Sequence, residues 1–126
     1  MQSGTDFEKL LRSANNVVKE FFKQTPERME AFHNLLGITG YKAVLSEKHR
    51  ELIAIALAVV KQCSYCIAFH VEKAINAGVS KQELLDALWV AVVMGGGPAL
   101  MYSGEALKAF EELSKKNKEE EEISNS

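Results

Sequence analysis

Apolar side chains recur along this chain at spacings of three and four, the period of an α-helix, and no strand-like alternation or internal repeat stands out. Phe7, Leu10, Leu11, Ala14, Val17, Val18, Phe21 and Phe22 follow a Thr5/Glu8 capping box and predict an amphipathic helix ending near Gln24. Thr25-Pro26-Glu27 restarts the chain. Thr stands as N-cap, Pro at the first helical position where its missing N–H costs nothing, and an acid faces the positive end of the helix dipole. Met29, Phe32, Leu35 and Leu36 supply the apolar face of this second helix, and Gly37 is expected to stop it. Residues 37 to 45 read either as a loop or as a short helical turn.

Ser46 is the expected cap of the next helix, with Glu47 in its first turn. From Leu52 to Val60 that helix is apolar on every side, the pattern of a helix surrounded by protein. Lys61 and Gln62 break it, and a further helix is predicted from about Ser64 to Ala77, with Gly78 beyond its end. Ser80 and Glu83 form another capping box, opening a helix through Leu84, Leu85, Ala87, Leu88, Val92 and Val93. Met94-Gly95-Gly96-Gly97-Pro98 ends it and, with no strand pattern before it and no Gly-Lys-Ser/Thr after it, is not a phosphate loop. Pro98 lies near the start of a last helix whose expected apolar face is Leu100, Met101, Ala106, Leu107 and Phe110. Trp89, Met94, Met101 and Tyr102 stand at helical spacing, which more often means core than a ligand pocket. The tail from Ser114 is highly charged and reads as solvated helix end or disorder.

The 126 residues suit one all-α domain. Fifteen basic against seventeen acidic residues, with no basic cluster, leave no electrostatic footprint for nucleic acid or an anionic membrane. The longest apolar run, Leu52 to Val60, is too short to span a bilayer, and the N-terminus carries no secretory pattern. Two cysteines in such a chain point to a reducing cytoplasm and a working thiol pair, since structural disulfides belong to oxidising compartments.

Candidate chemistry concentrates between Glu51 and His70. Cys63 and Cys66 form a Cys-x-x-Cys pair, and His70 follows Cys66 by four residues, one helical turn on the same face. A helix N-terminus favours thiolate over thiol, and His70 is near enough to take or relay the proton. Glu51, taken alone, reads as a surface glutamate paired with a neighbour such as Lys48. If the two helices fold back around Gln62, however, Glu51 is ~16 Å and His70 ~12 Å from the bend, a mismatch that a glutamate side chain spans. Glu51 would then orient His70 as a carboxylate orients a general base. His33 reads as an ordinary polar-face residue. A zinc site of Cys63, Cys66 and His70, with Glu51 or His49 as fourth ligand, is the weakest reading, because a closed site usually adds a second ligand pair at recognisable spacing.

Together Glu51, Cys63-x-x-Cys66-x-x-x-His70, Ala77-Gly78 and the Gly95-Gly96-Gly97-Pro98 turn resemble the carboxymuconolactone decarboxylase and alkylhydroperoxidase D (AhpD-like) family over residues 25 to 112. The resemblance implies an AhpD-like helical bundle assembled into homo-oligomers, trimers or hexamers. The chain divides accordingly into an N-terminal helix (1–24), a family core (25–113) and a charged tail (114–126). For members with both cysteines it also implies a thiol-dependent peroxidase without cofactor or metal. By that likeness Cys66 attacks the peroxide, Cys63 resolves it into a disulfide, and His70 and Glu51 relay protons. The partner would be a dithiol reductant, thioredoxin-like or lipoyl-bearing. Alkylhydroperoxidase D members carry a histidine immediately before the second cysteine, where this chain has Tyr65. The alternative is a redox-responsive disulfide protein or disulfide reductase with negligible peroxidase activity.

Overall fold

The computed structural model describes residues 6–125, and among them the regular structure is helical throughout. Six helices follow one another: α1 (Phe7–Gln24), α2 (Pro26–Gly40), α3 (Glu47–Val60), α4 (Ser64–Asn76), α5 (Lys81–Gly95) and α6 (Gly97–Ser124). Helices α3 to α6 form an up-down-up-down bundle. Lys48 and Glu83 pair at 3.1 Å where α3 and α5 begin, and Val60 packs against Gly95 where both end, so these two run parallel. Ser64 meets Glu105, and Asn76 meets Asn117, so α4 and α6 also run parallel. Around the bundle α3 touches α4 and α5, α6 touches both of those, and α3 reaches α6 across the diagonal.

The caps expected from the sequence largely hold. Ser46 Oγ accepts the His49 N–H at 3.2 Å, and Ser80 with Glu83 forms a complete capping box. Thr5 lies outside the described residues; the cap of α1 is Asp6, whose carboxylate accepts the Lys9 N–H at 3.1 Å. Thr25 stands at the N-cap of α2, but its hydroxyl donates back to the Phe21 carbonyl at 2.9 Å instead of capping. Gly37 does not stop α2, which continues to Gly40. A single exposed glycine costs a helix only about 1 kcal/mol, and the Thr39 hydroxyl bonds the Leu35 carbonyl across that turn. The charged tail takes the first of its two expected forms, continuing α6 as helix to Ser124.

The core is Ile55, Ala58 and Val59 of α3, Ile67, Ala68, Val71 and Ala74 of α4, Leu84, Leu88 and Ala91 of α5, and a small-residue stripe on α6 ending at Leu113. On α6 the buried face is rotated from the expected one: Ala99, Ser103, Ala106 and Ala109 point inward, while Leu100 and Met101 face solvent. Small residues there let α6 approach three neighbours closely. Gly95 has the same cause, since a Cβ would lie 2.9 Å from the Ala99 Cβ and 3.2 Å from a Val60 methyl.

Helix α1 joins the bundle through its first half only. Phe7 and Leu11 are buried against α4 and α6, and the Phe7 N–H donates to Glu112 at 3.2 Å. Its second half and all of α2 pack on each other, leaving Phe21, Phe32, Leu35 and Leu36 exposed. Trp89, Val93 and Met94 of α5 are also exposed, the last at 81%, so of the four residues expected in the core Trp89, Met94 and Met101 belong to the surface, while Tyr102 is half-buried against the core.

The α5 capping box generates a pH prediction. The Ser80 backbone N–H, with the Lys48 ammonium, holds the Glu83 carboxyl below its ordinary 4.5. A carboxylate with a depressed folded value stabilises the fold above its unfolded value and loses that contribution as pH falls through the folded one. Glu83→Gln is therefore expected to lower the urea midpoint at pH 7, with the gap to wild type closing on acidification below about pH 4. A gap that widens towards acid contradicts this.

Candidate functional site

The site is built on one backbone turn. Helix α3 ends at Lys61 with Gln62 in the left-handed region (φ 58), the Gln62 N–H donating to the Val59 carbonyl (3.2 Å) and the Cys63 N–H to the Ala58 carbonyl (3.0 Å). This is a Schellman closure with glutamine in the place usually held by glycine. Cys63 then caps α4: its Sγ accepts the Cys66 N–H at 3.2 Å. One residue thus closes α3 and opens α4, and the chain reverses without a loop.

The reversal lays α3 against α4 and brings Glu51 to His70, with Glu51 Oε2 and His70 Nδ1 2.8 Å apart. A carboxylate only accepts, so Nδ1 carries the hydrogen and Nε2 is left to accept or release a proton. Glu51 is 9% exposed and His70 half-buried. The surface partner expected for Glu51 goes elsewhere, since Lys48 bonds Glu83, and the adjacent Arg50 donates to the Leu45 carbonyl at 2.5 Å. The Phe69 ring meets His70 edge-on with centroids 5.2 Å apart, and the Lys73 ammonium lies 4.9 Å from the centre of the Phe69 ring.

Cys63 and Cys66 are paired as a disulfide, with Cα atoms 5.3 Å apart. Cys63 is half-buried, whereas Cys66 lies on the exposed face of α4 that also carries Tyr65. All four residues singled out in the sequence therefore fall on one α3–α4 hairpin. His49 does not join them, since its Nδ1 lies 2.9 Å from the Ser46 hydroxyl. His33 stacks edge-on with Phe22, far along the chain from the cysteines. Among the described residues no three His, Cys, Asp or Glu side chains gather in a way that could hold a metal ion.

One contact at this site had no signal in the sequence. The Ser64 hydroxyl, beside Cys63, donates to Glu105 Oε2 at 3.1 Å, and the two residues are 41 positions apart. Only the packing of α6 along α4 brings them together. Two concavities lie elsewhere. One of about 450 Å³, lined by Leu45, Leu52, Ile53, Ala56 and Val90, is an apolar groove between α3 and α5. Another sits by the far ends of α4 and α6, around Asn76 and Asn117. The cysteines occupy an open edge.

The bundle thus carries a disulfide-bonded cysteine pair at a helix start and a carboxylate-held histidine one turn on. Residues 26–112 match the Carboxymuconolactone decarboxylase family, and the chain belongs to it. A carboxymuconolactone decarboxylase family protein of Legionella pneumophila, solved in its apo form, superposes with a TM-score of 0.83 at 44% identity, covering 86% of this chain and 96% of that one. A family protein of Thermotoga maritima, regarded as a candidate for the antioxidative response, has a TM-score of 0.77 at 26% identity over 88% of this chain and 95% of that one. An uncharacterised protein of Haemophilus influenzae is 37% identical over 106 residues, 84% of this chain and 94% of its own.

The αL turn at Gln62 is testable by itself. Gln62→Gly is expected to change stability by less than about 1 kcal/mol, while Gln62→Val, a β-branched residue forced to positive φ, costs about 1–3 kcal/mol. Equal effects in urea unfolding would show that this turn does not set the hairpin.

Proposed function

We propose that the protein is a thiol-dependent peroxidase of the alkylhydroperoxidase type, cycling through the Cys63–Cys66 disulfide. The observation that carries this reading is the 2.8 Å Glu51–His70 contact, which fixes a histidine one helical turn from Cys66. With the pair reduced, the exposed Cys66 thiolate attacks one peroxide oxygen. An S–O bond forms, the O–O bond breaks, and the departing alkoxide or hydroxide takes a proton from His70. Glu51 stabilises the charge on the imidazole during that exchange. Cys63 then displaces the sulfenic oxygen as water, closing the disulfide. An external dithiol protein, thioredoxin-like or lipoyl-bearing, restores the thiols by exchange. The need for such a donor supports a reducing compartment, the cytoplasm, as part of this reading. No helix among the described residues is long and apolar enough to cross a membrane. The antioxidative role considered for the Thermotoga maritima relative agrees with this assignment.

Tyr65 supports a second reading. It stands, half exposed, where alkylhydroperoxidase D members have a second histidine. With a shorter relay, the pair would serve as a redox-responsive disulfide or disulfide reductase with negligible peroxide turnover. Stopped-flow mixing of the reduced protein with peroxide, following thiol loss, separates the two.

The proposed working form is a homo-oligomer, a trimer or hexamer. The accessible surface is 8706 Å², against about 6,700 Å² for a compact 14.0 kDa monomer. Large apolar side chains are exposed on the α1–α2 arm and on α3 and α5, among them Phe21, Leu35, Leu57 and Val93, and contiguous apolar surface of this kind marks an interaction face. Light scattering at micromolar concentration is expected to give a multiple of 14.0 kDa. A monomeric mass would sink the proposal.

Cysteine variants test the chemistry. Cys66→Ser is expected to abolish peroxide consumption, while Cys63→Ser consumes about one equivalent and stalls as a sulfenic acid. His70→Ala slows the first step by ~10²–10⁴-fold, and Glu51→Gln shows a smaller loss because it acts through His70. If Cys63→Ser is inert and Cys66→Ser reacts once, the two roles are reversed.

A further inference from the structure

The cap geometry, taken alone, favours the wrong cysteine. Cys63 holds the N-cap of α4, and its sulfur accepts the Cys66 N–H at 3.2 Å. The helix dipole and a donated N–H both stabilise thiolate, so an isolated α4 would make Cys63 the more acidic thiol. Cys63 is nevertheless the half-buried member of the pair, and Cys66 the exposed one. Something must oppose the dipole at Cys63 if Cys66 is to react first.

Helix α6 supplies it. Helices α1, α2, α3 and α5 each carry an acid in their own first turn, namely Glu8, Glu27, Glu47 and Glu83. Helix α4 has none. Its acid comes from another element, Glu105, whose Oε2 accepts the Ser64 hydroxyl at 3.1 Å in a part-buried setting one residue from Cys63. A carboxylate fixed there repels a second negative charge on the adjacent sulfur. We propose that Glu105 is a positioning residue that keeps Cys63 as the neutral, resolving thiol and so leaves Cys66 as the reactive thiolate.

The inference rests on the peroxidase reading for the word resolving. In that step Cys63–SH attacks the Cys66 sulfenic sulfur, the S–S bond forms, the S–O bond breaks, and hydroxide leaves with the Cys63 proton as water. The other ionisable groups around this turn are Lys61 at the end of α3, Glu51 further along it, and Tyr65, Cys66 and His70 on α4. Lys108 stands one turn beyond Glu105 on α6. Glu8 and Arg12 flank the buried Phe7 and Leu11 of α1, which packs on both α4 and α6. Of these groups, Glu105 bonds the residue next to Cys63.

The test reads thiol reactivity without peroxide. In a reduced Cys66→Ser background, the rate of Cys63 alkylation by iodoacetamide is followed by mass against pH. Glu105→Gln keeps an acceptor for Ser64 and removes only the charge. It is expected to move the inflection to lower pH and to speed alkylation at pH 7 about threefold, after allowing for the lower nucleophilicity of a more acidic thiol. Ser64→Ala, which keeps the charge but removes the Ser64 hydrogen bond, is expected to shift the curve the same way by less. In the Cys63→Ser background, Glu105→Gln should move the Cys66 curve less than it moved that of Cys63. A purely structural pin would lower the melting temperature and leave the pH–rate curves in place. Superimposed curves, or an equal or larger shift at Cys66, overturn the proposal. A wild-type protein inert towards peroxide but showing the predicted shift would retain the charge effect and reject the peroxidase function instead.

Discussion

Everything at the site depends on how α3 hands over to α4. With Gln62 in the left-handed region, the last carbonyls of α3 are satisfied by the N–H groups of Gln62 and Cys63, and Cys63 immediately caps the next helix. Only Lys61, Gln62 and Cys63 connect the two helices, and each is held by a capping hydrogen bond, so the register of α3 against α4 is set by this turn. That register brings Glu51 to His70 across nineteen positions. Lengthening the turn by one residue would rotate α4 by about 100° and carry His70 away from the carboxylate. The cysteine pair and its histidine are therefore brought together by a helix-capping constraint more than by any pocket.

The remaining helices hold that hairpin rigid and open. Buried Ile55, Ala58 and Val59 lock α3 against Ile67, Val71 and the small-residue face of α6, so the hairpin cannot slide. The outward face of α4 is left uncovered, with Cys66 on it. Such an open face differs from enclosed sites that bury most of a ligand. The apolar groove between α3 and α5 and the projecting α1–α2 arm lie outside this machinery, and both are surfaces that water alone covers poorly.

The electrostatics of α4 are assembled from three helices. The dipole comes from α4 itself, the buried carboxylate behind His70 from α3, and the carboxylate at Ser64 from α6. Two thiols three residues apart on one turn would otherwise differ little. Placing one carboxylate behind the histidine and another beside the N-cap gives the two sulfurs unlike surroundings, which a division of labour between them requires.

Local signals determined a great deal of this protein. The caps at Ser46 and Ser80, the break at Lys61-Gln62 and the turn through Gly96 and Pro98 are short-range chemistry, legible because each is completed within a few residues. The Cys63-x-x-Cys66-x-x-x-His70 spacing is legible for the same reason, and the fold-back arithmetic reached Glu51 because the hairpin has no loop. What the tertiary structure alone decided depends on which face each helix turns inward. The end of α2 at Gly40, the inward turn of Ala99 and Ser103 in place of Leu100 and Met101, and the exposure of Trp89 and Met94 follow from how closely neighbouring helices approach. A hydrophobic period marks an apolar face but not whether this chain has anything to set against it. The meeting of Glu105 with Ser64 is the clearest case, since two unremarkable polar residues on separate helices become part of one site only when α6 packs alongside α4.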